Sequence, residues 1–354
     1  MEMIHSALIT GASRGIGLEF VKQLLTNSSL QAKIIIATCR SPETAMALQE
    51  LKKSSERVHI FKLDVTQFDT YNDLALKVGS LVGDKGLTLL INNAGIAEAS
   101  FKDSLKDITP EMYISTFTTN SVAPVILTQA LYPLLKQSAE AHSSETKNDL
   151  GIKRAAVINI SSALGSIKSA GDRSTIFSYN ESKAALNMST QVLAKELAKD
   201  GILIESFHPG VVRTDMTKDI EDDSRLIDTI TCVAGILSVM MHLKGKNKDG
   251  FLDYKGPLSA IKAVCKVNSS ETNNGLSIKR AAVINITSIL GSIKKCGSHI
   301  PRNWSYNESK AALNMSTQAL AAELEKDGIL CRKYPPRSSS NGHDQRRRRY
   351  FSNA

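Results

Sequence analysis

The stretch from Ser6 to Leu25 constrains this chain more than any other. The apolar run SALIT passes directly into TGASRGIG and then into the helical pattern IGLEFVKQLL. Glycines at 11, 15 and 17 allow a sharp turn and let backbone N–H groups approach a ligand at the amino end of a helix, where the peptide dipoles favour negative charge. A glycine cluster alone is a weak signal, because turns collect glycine for structural reasons. Between a strand and a helix, at the start of a strand–helix repeat, it reads as a pyrophosphate cradle built from Gly11, Ser13, Arg14, Gly15, Ile16 and Gly17. The alternation continues through KIIIATC, TAMALQELKK, VHIFKLDV, LTLLINNAG, the helical stretch Met112 to Ala139, AAVINISS, the helical run Tyr179 to Ala198, ILIESFHPG and GFLDYKG. Short apolar strands separated by helices predict an α/β class fold, a doubly wound parallel sheet (Rossmann fold) of about seven strands, over residues 1–258.

Composition narrows the function classes. With 42% hydrophobic residues in 354, the chain has enough apolar surface for a core, which excludes disorder as its main state. The five cysteines, Cys39, Cys232, Cys265, Cys296 and Cys331, show no paired spacing, so neither a disulfide framework nor a metal site is expected. The opening MEMIHSALIT has no basic run followed by an apolar stretch, and a cytoplasmic location is the expectation. The most membrane-like stretch, Leu226 to Leu243, is interrupted by Asp228 and His242, whereas a bilayer needs ~18 or more clean apolar residues. Residues 1–258 carry 28 basic and 29 acidic side chains, and residues 259–354 carry 16 and 6. A near-neutral body offers no footprint for specific nucleic-acid binding, and no membrane partner is expected. More than half of that basic excess sits in residues 331–354, read as a solvated, disordered tail, with polyanion contact through Arg346–Arg349 as the sharper alternative.

The chemistry is carried by three further positions. Tyr179 and Lys183 stand at i and i+4 of a helical run, so their side chains are neighbours, and an ammonium beside a phenol favours the phenolate. Ser162 ends the apolar strand AAVINISS, at the strand end where open α/β sheets place their ligands. About 20 residues beyond the glycine loop, a fold that prefers an unphosphorylated ribose places an acid. This chain has Thr38, Cys39 and Arg40 there, and Arg40 with Arg14 offers planar forks suited to a 2′-phosphate. NADP(H) is therefore favoured over NAD(H).

Taken in order, TGASRGIG, Asp64 in KLDV, NNAG at Asn92 to Gly95, Asn120 in TTNSVAP, Ser162, YNESK and PGVVRTDM at Pro209 to Met216 resemble the short-chain dehydrogenase/reductase family. INISSALGSI, HPGVVRTDM and GFLDYKG resemble its sniffer-type carbonyl reductase and C-factor-like branches most. The resemblance implies an oxidoreductase that moves a hydride between nicotinamide and a small or medium aldehyde, ketone or alcohol. It implies Asp64 and Val65 at the adenine, and Asn93, Ala94 and Gly95 along the adenosine side. It places Pro209, Gly210, Val212 and Thr214 at the nicotinamide, with Tyr179 and Lys183 also touching the cofactor. The implied catalytic set is Asn120, Ser162, Tyr179 and Lys183, with Asn120 anchoring a water that relays protons to Lys183. A homodimer through the helix beginning at Tyr179 is also implied. The rival reading is a catalytically weak NADP-binding regulator of the same fold, since a fold does not by itself imply turnover. Substrate choice is expected in residues 217–250, where Leu226, Ile227, Ile230, Val233 and Leu237 either line an apolar pocket or pack on the sheet, and in residues 96–100.

One feature stands outside this pattern. Ser143 to Lys168 returns almost unchanged as Ser269 to Lys294, and YNESKAALNMSTQ recurs identically from Tyr306. After a linker at 259–268, residues 269–330 thus repeat residues 143–203, one loop, one strand and one helix. The repeat brings Ser288, Tyr306 and Lys310 but no second glycine loop, NNAG or PG segment. Its tyrosine and lysine are expected to be catalytically silent.

Overall fold

The computed structural model describes residues 2–97, 107–144, 149–167, 176–220, 223–243, 251–257, 282–286, 304–324 and 330–334. Ser288, the linker 259–268 and Arg346–Arg349 lie outside the described residues.

In chain order the elements are β1 (Glu2–Thr10), α1 (Gly15–Thr26), β2 (Leu30–Cys39), α2 (Met46–Ser54), β3 (Val58–Lys62), α3 (Tyr71–Val82) and β4 (Leu89–Asn92). There follow α4 (Pro110–Phe117), α5 (Ala123–Ala141), β5 (Ala156–Ile160), α6 (Phe177–Leu197), β6 (Leu203–His208), β7 (Val211–Val212), β8 (Leu226–Ile227), α7 (Thr229–Met241), β9 (Phe251–Asp253) and β10 (Gly256–Pro257). The main sheet runs β3-β2-β1-β4-β5-β6-β9-β10. Seven strands are parallel, and β10 joins the edge antiparallel to β9. Strand order reverses between β1 and β4, the point at which open α/β sheets leave a crevice at the carboxyl ends of their strands.

The strands are apolar on both faces because helices cover both faces. All five residues of β5 are buried. Along β1 the side chains alternate: Ala7 and Ile9 join a core with Phe20 and Leu24 of α1 and Val233 and Leu237 of α7, while Leu8 faces Val78 of α3 and Leu131 and Leu135 of α5. The helical stretch expected over Met112 to Ala139 is interrupted. Between α4 and α5 lies a π turn, Thr118–Val122, centred on Asn120. Pro124 has no N–H to return to the Asn120 carbonyl, so regular α-helical pairing fails there. The segment after the PG motif also divides: β8 pairs with β7, and Asp228 then caps α7 by accepting the Thr231 N–H at 2.6 Å.

The repeated sequence forms β11 (Ala282–Ile286), α8 (Trp304–Leu324) and β12 (Leu330–Tyr334). β11 does not enter the main sheet, where β5 already occupies the equivalent place. It pairs in parallel with β12, Ala282 opposite Leu330, as Ala156 stands opposite Leu203 in the parent unit. This corrects two expectations. The unit has a second strand, and residues 331–334 belong to it rather than to a disordered tail, because β11 supplies backbone partners even where the side chains cease to match β6.

Candidate active site

The site is assembled at the carboxyl ends of β1, β4, β5 and β6. Thr10, the last residue of β1, ties the first two loops together: its hydroxyl accepts the N–H groups of Asn93 and Ala94, each at 3.0 Å. Asn93 returns its amide to the carbonyls of Thr10 at 2.9 Å and Gly11 at 3.3 Å. The glycines are dictated by this closeness. Gly11 has φ +65°, and a Cβ on it would lie 2.9 Å from the Ala94 Cα; a Cβ on Gly17 would lie 2.4 Å from the Gly11 carbonyl oxygen. At its glycines the loop therefore presents bare backbone at the first turn of α1, the geometry that suits a phosphate.

Ser162 follows β5 and is almost buried, its hydroxyl accepting the Leu164 N–H at 3.1 Å. It also hydrogen-bonds the Tyr179 phenol across the gap to α6. Lys183, one turn along α6, lies with Nζ 5.7 Å from the Tyr179 ring centroid and donates to the Ile160 carbonyl at 2.9 Å. Burial pushes the phenol up to about 12, an effect the Ser162 hydrogen bond partly offsets. Burial also pushes the Lys183 ammonium down to about 8. The expected lowering of the phenol by its lysine neighbour is thus outweighed, because desolvation disfavours charge on both groups.

Asn120 is held in the π turn, where its side chain clasps the backbone of Ile96: Oδ1 accepts the Ile96 N–H at 2.9 Å and Nδ2 donates to the Ile96 carbonyl at 2.8 Å. Nδ2 also reaches Ser182 on α6 at 3.1 Å. Gly95 fits between these groups, since a Cβ there would lie 3.2 Å from the Asn120 Oδ1 and 3.6 Å from the Lys183 Nζ. The π turn, the loop after β4 and the Tyr179–Lys183 helix therefore converge.

A cavity of about 410 Å³ opens in front of Ser162 and Tyr179. Ile16 bounds it on the glycine-loop side, and Pro209, Gly210, Val212 and Thr214 bound it on the other. Its outer wall holds Met216, the end of the PGVVRTDM motif, and Thr217, Ile220 and Arg225 from the segment in which substrate choice was expected, none of them among the apolar residues named there. The expected alternatives for α7 resolve toward packing: Val233 and Leu237 are fully buried in the core, and Ile230 is exposed. Ile227 closes on the Gly210 backbone, where a Cβ would lie 3.0 Å from its Cδ1.

The adenosine side is less enclosed. Asp64 opens the turn after β3, with Thr66 donating from its N–H at 2.9 Å and from its hydroxyl at 2.7 Å. Partial burial opposes its ionisation, but these hydrogen bonds and the positive charge of Arg40 hold it below the usual carboxylate range. Val65 is half-buried beside it and Arg40 is exposed. Arg14 does not reach toward Arg40; its guanidinium pairs with Asp215 at 3.2 Å across the mouth of the cavity. Ser13 lies half-buried on the same loop, and Gly15 nears Thr214, whose Cγ2 a Cβ would meet at 3.4 Å. Two of the groups that build the site, Thr10 and Ser182, lie inside the motifs TGASRGIG and YNESK but were given no role there, since a hydroxyl at a strand end or on a helix is commonplace. Among the described residues no cluster of three or more His, Cys, Asp or Glu side chains has metal-binding geometry, and no helix is long and apolar enough to cross a membrane.

Known proteins resemble this arrangement over the same span. Carbonyl reductase Sniffer of D. melanogaster is 37% identical, covers 72% of this chain and 98% of its own, and superimposes with a TM-score of 0.66. An NADPH-bound carbonyl reductase from chicken fatty liver is 38% identical with the same coverage and TM-score. Among curated proteins, an uncharacterized oxidoreductase of Schizosaccharomyces pombe is 33% identical over 262 residues, which is 70% of this chain and 94% of the relative. The family model for short chain dehydrogenase matches residues 5–225, from β1 to the outer wall of the cavity. The glycine loop, the Ser162–Tyr179–Lys183 cluster and the wall that faces them all fall inside that match, and the chain belongs to the short-chain dehydrogenase family as a dehydrogenase/reductase enzyme.

Proposed function

We propose that the protein is an NADP(H)-dependent carbonyl reductase acting on a small or medium aldehyde or ketone. The observation that carries this reading is the Ser162–Tyr179 hydrogen bond at the floor of the cavity, with Lys183 buried behind it. The residues present fit a nicotinamide dinucleotide. The loop from Gly11 to Gly17, open at its three glycines, would hold the pyrophosphate, Asp64, Val65 and Asn93 to Gly95 the adenosine half, and Pro209 to Thr214 the nicotinamide half. Bound there, the nicotinamide supplies the hydride.

The chain's own groups handle the oxygen and the proton. Ser162 and Tyr179 donate hydrogen bonds to the substrate carbonyl oxygen, where negative charge develops. A phenol pushed up to about 12 is fully protonated at neutral pH, which suits it to give its proton to that oxygen in the reductive direction. Lys183, still largely an ammonium at pH 7, steadies the phenolate left behind, and its bond to the Ile160 carbonyl fixes its position. Asn120 keeps the loop after β4 against Lys183, and its main-chain carbonyl, denied a donor by Pro124, is the anchor for a relay water.

Preference for the phosphorylated cofactor rests on Arg40, which is exposed beside the adenosine side, more than on Arg14, which is engaged with Asp215. The test follows NADPH oxidation by absorbance against a panel of aldehydes, ketones and quinones, with the full chain and Tyr179→Phe. Turnover in the first and its loss in the second is expected, together with a several-fold fall in the preference for NADPH over NADH in Arg40→Ala. NADPH binding with no turnover on any carbonyl would overturn the reading in favour of a regulator.

A further inference from the structure

α8 packs lengthwise on α6, and the pairing is reciprocal. The Ser189 hydroxyl of α6 donates to the Glu308 carboxylate of α8. The Glu181 carboxylate of α6 is hydrogen-bonded by Ser316 of α8. In the shared run YNESKAALNMSTQ, Glu308 is the equivalent of Glu181 and Ser316 the equivalent of Ser189. Each helix therefore offers its glutamate to the other's serine. The apolar centre follows the same rule: Met315 of α8, the equivalent of Met188, packs on Ala184 of α6, and Met188 and Ala311 are both fully buried. Contacts in which residue i meets j and j meets i define an isologous pair related by a two-fold axis, the arrangement of a symmetric homodimer.

We infer that α8 occupies, from within the same chain, the α6 face through which the family resemblance implies a homodimer, and so stands where the α6 of a second copy would pack. A second copy would present the same thirteen-residue run, and so the same glutamate, serine, alanine and methionine at the same places. The carboxylates, buried on docking, each receive a hydroxyl hydrogen bond in this pairing, which removes the cost of leaving a polar group unsatisfied. The repeated segment thereby converts an intermolecular contact into an intramolecular one, and the intact chain is monomeric through this face. Tyr179 of α6 faces the cavity, and among the described residues none of those lining it belongs to α8.

Two measurements on the full-length chain test this. In Ser189→Cys/Glu308→Cys, a disulfide should form within one chain, seen as an unshifted band on a non-reducing gel and located by peptide mass spectrometry. A band at twice the mass, or no disulfide, would overturn the intramolecular pairing. In Ala311→Arg/Met315→Arg, which leaves α6 unchanged, sedimentation equilibrium should show the mass doubling, while the unsubstituted chain stays monomeric. The same cysteine pair in this background should no longer cross-link within the chain. A released α8 with the chain still monomeric would show that α6 is not self-complementary, and a persisting cross-link would show that the Met315–Ala184 contact does not hold the pair. Should the double arginine chain fail to fold, Glu308→Arg alone carries the same prediction.

Discussion

α6 and α8 carry the same run of residues and reach opposite fates. Within each helix the local geometry is equivalent: the lysine Nζ lies 5.7 Å from the tyrosine ring in α6 and 5.6 Å in α8. What surrounds them differs. Tyr179 is 9% exposed, bonded to Ser162 and facing the cavity, whereas Tyr306 is 36% exposed. Lys183 is buried on the Ile160 carbonyl between β5 and the glycine-bearing loop after β4, and Lys310 is half-buried on the outer helix. A tyrosine and a lysine one turn apart are therefore raw material. Burial, a serine at a strand end and a cradle for a nucleotide make them a site.

The largest effect that would break this comparison is catalytic. Tyr179→Phe should lower carbonyl turnover by roughly 10²–10⁴-fold, the usual contribution of a positioned acid, while Tyr306→Phe leaves it unchanged. Equal losses in steady-state assays would mean that α8 feeds the cavity. Next in size is a stability contrast. Leu186 of α6 is fully buried and its equivalent Leu313 is only half-buried. Leu186→Ala should cost about 2–5 kcal/mol and Leu313→Ala about 1 kcal/mol or less, read from urea unfolding midpoints. If the two costs matched, α8 would be as much a part of the core as α6.

The smallest effect is a pH dependence at the helix pair. Burial pushes the Glu181 carboxyl up to about 7, with hydrogen bonds from Ser316 of α8 and Tyr113 of α4 offsetting part of the rise. A carboxyl raised in the folded state contributes stability that is full below about pH 4.5 and is lost as pH rises through about 7. The amide of Glu181→Gln does not titrate, so the stability difference between this variant and the parent should move in the variant's favour from pH 4.5 to 7 and then level off. Glu308, half-exposed, is raised in the same direction by burial, and Glu308→Gln should show the same trend with smaller amplitude. A flat difference across that range would show that neither carboxyl is desolvated by the pairing.

Much of the fold was legible because its signals are local. Apolar strands alternating with helices, a glycine loop between the first pair, and Ser162, Tyr179 and Lys183 at strand and helix ends need only periodicity and spacing to be read. The π turn at Asn120 was missed, because Met112 to Ala139 reads as one helical stretch and the N–H that Pro124 lacks was not weighed, and nothing short of the packed structure shows the side chain closing on Ile96. Thr10 was legible as the first residue of TGASRGIG, but its role was not. Its role depends on β4 arriving beside β1, a contact between residues 10 and 93 that no local pattern encodes. The cavity wall was legible as a segment but not as residues: substrate choice was expected in 217–250, yet Thr217, Ile220 and Arg225 face the cavity only because the chain folds back after β7.

The amino-acid sequence by itself determined the doubly wound sheet, the family, the order of the reacting groups and the existence of a second copy of their helix. Each of these follows from residue type and spacing along the chain. The tertiary structure alone decided which copy reacts, which direction burial drives the phenol and the ammonium, and where the second copy rests. Those outcomes depend on desolvation and on complementary surfaces, and both are properties of what surrounds a residue rather than of its place in the chain.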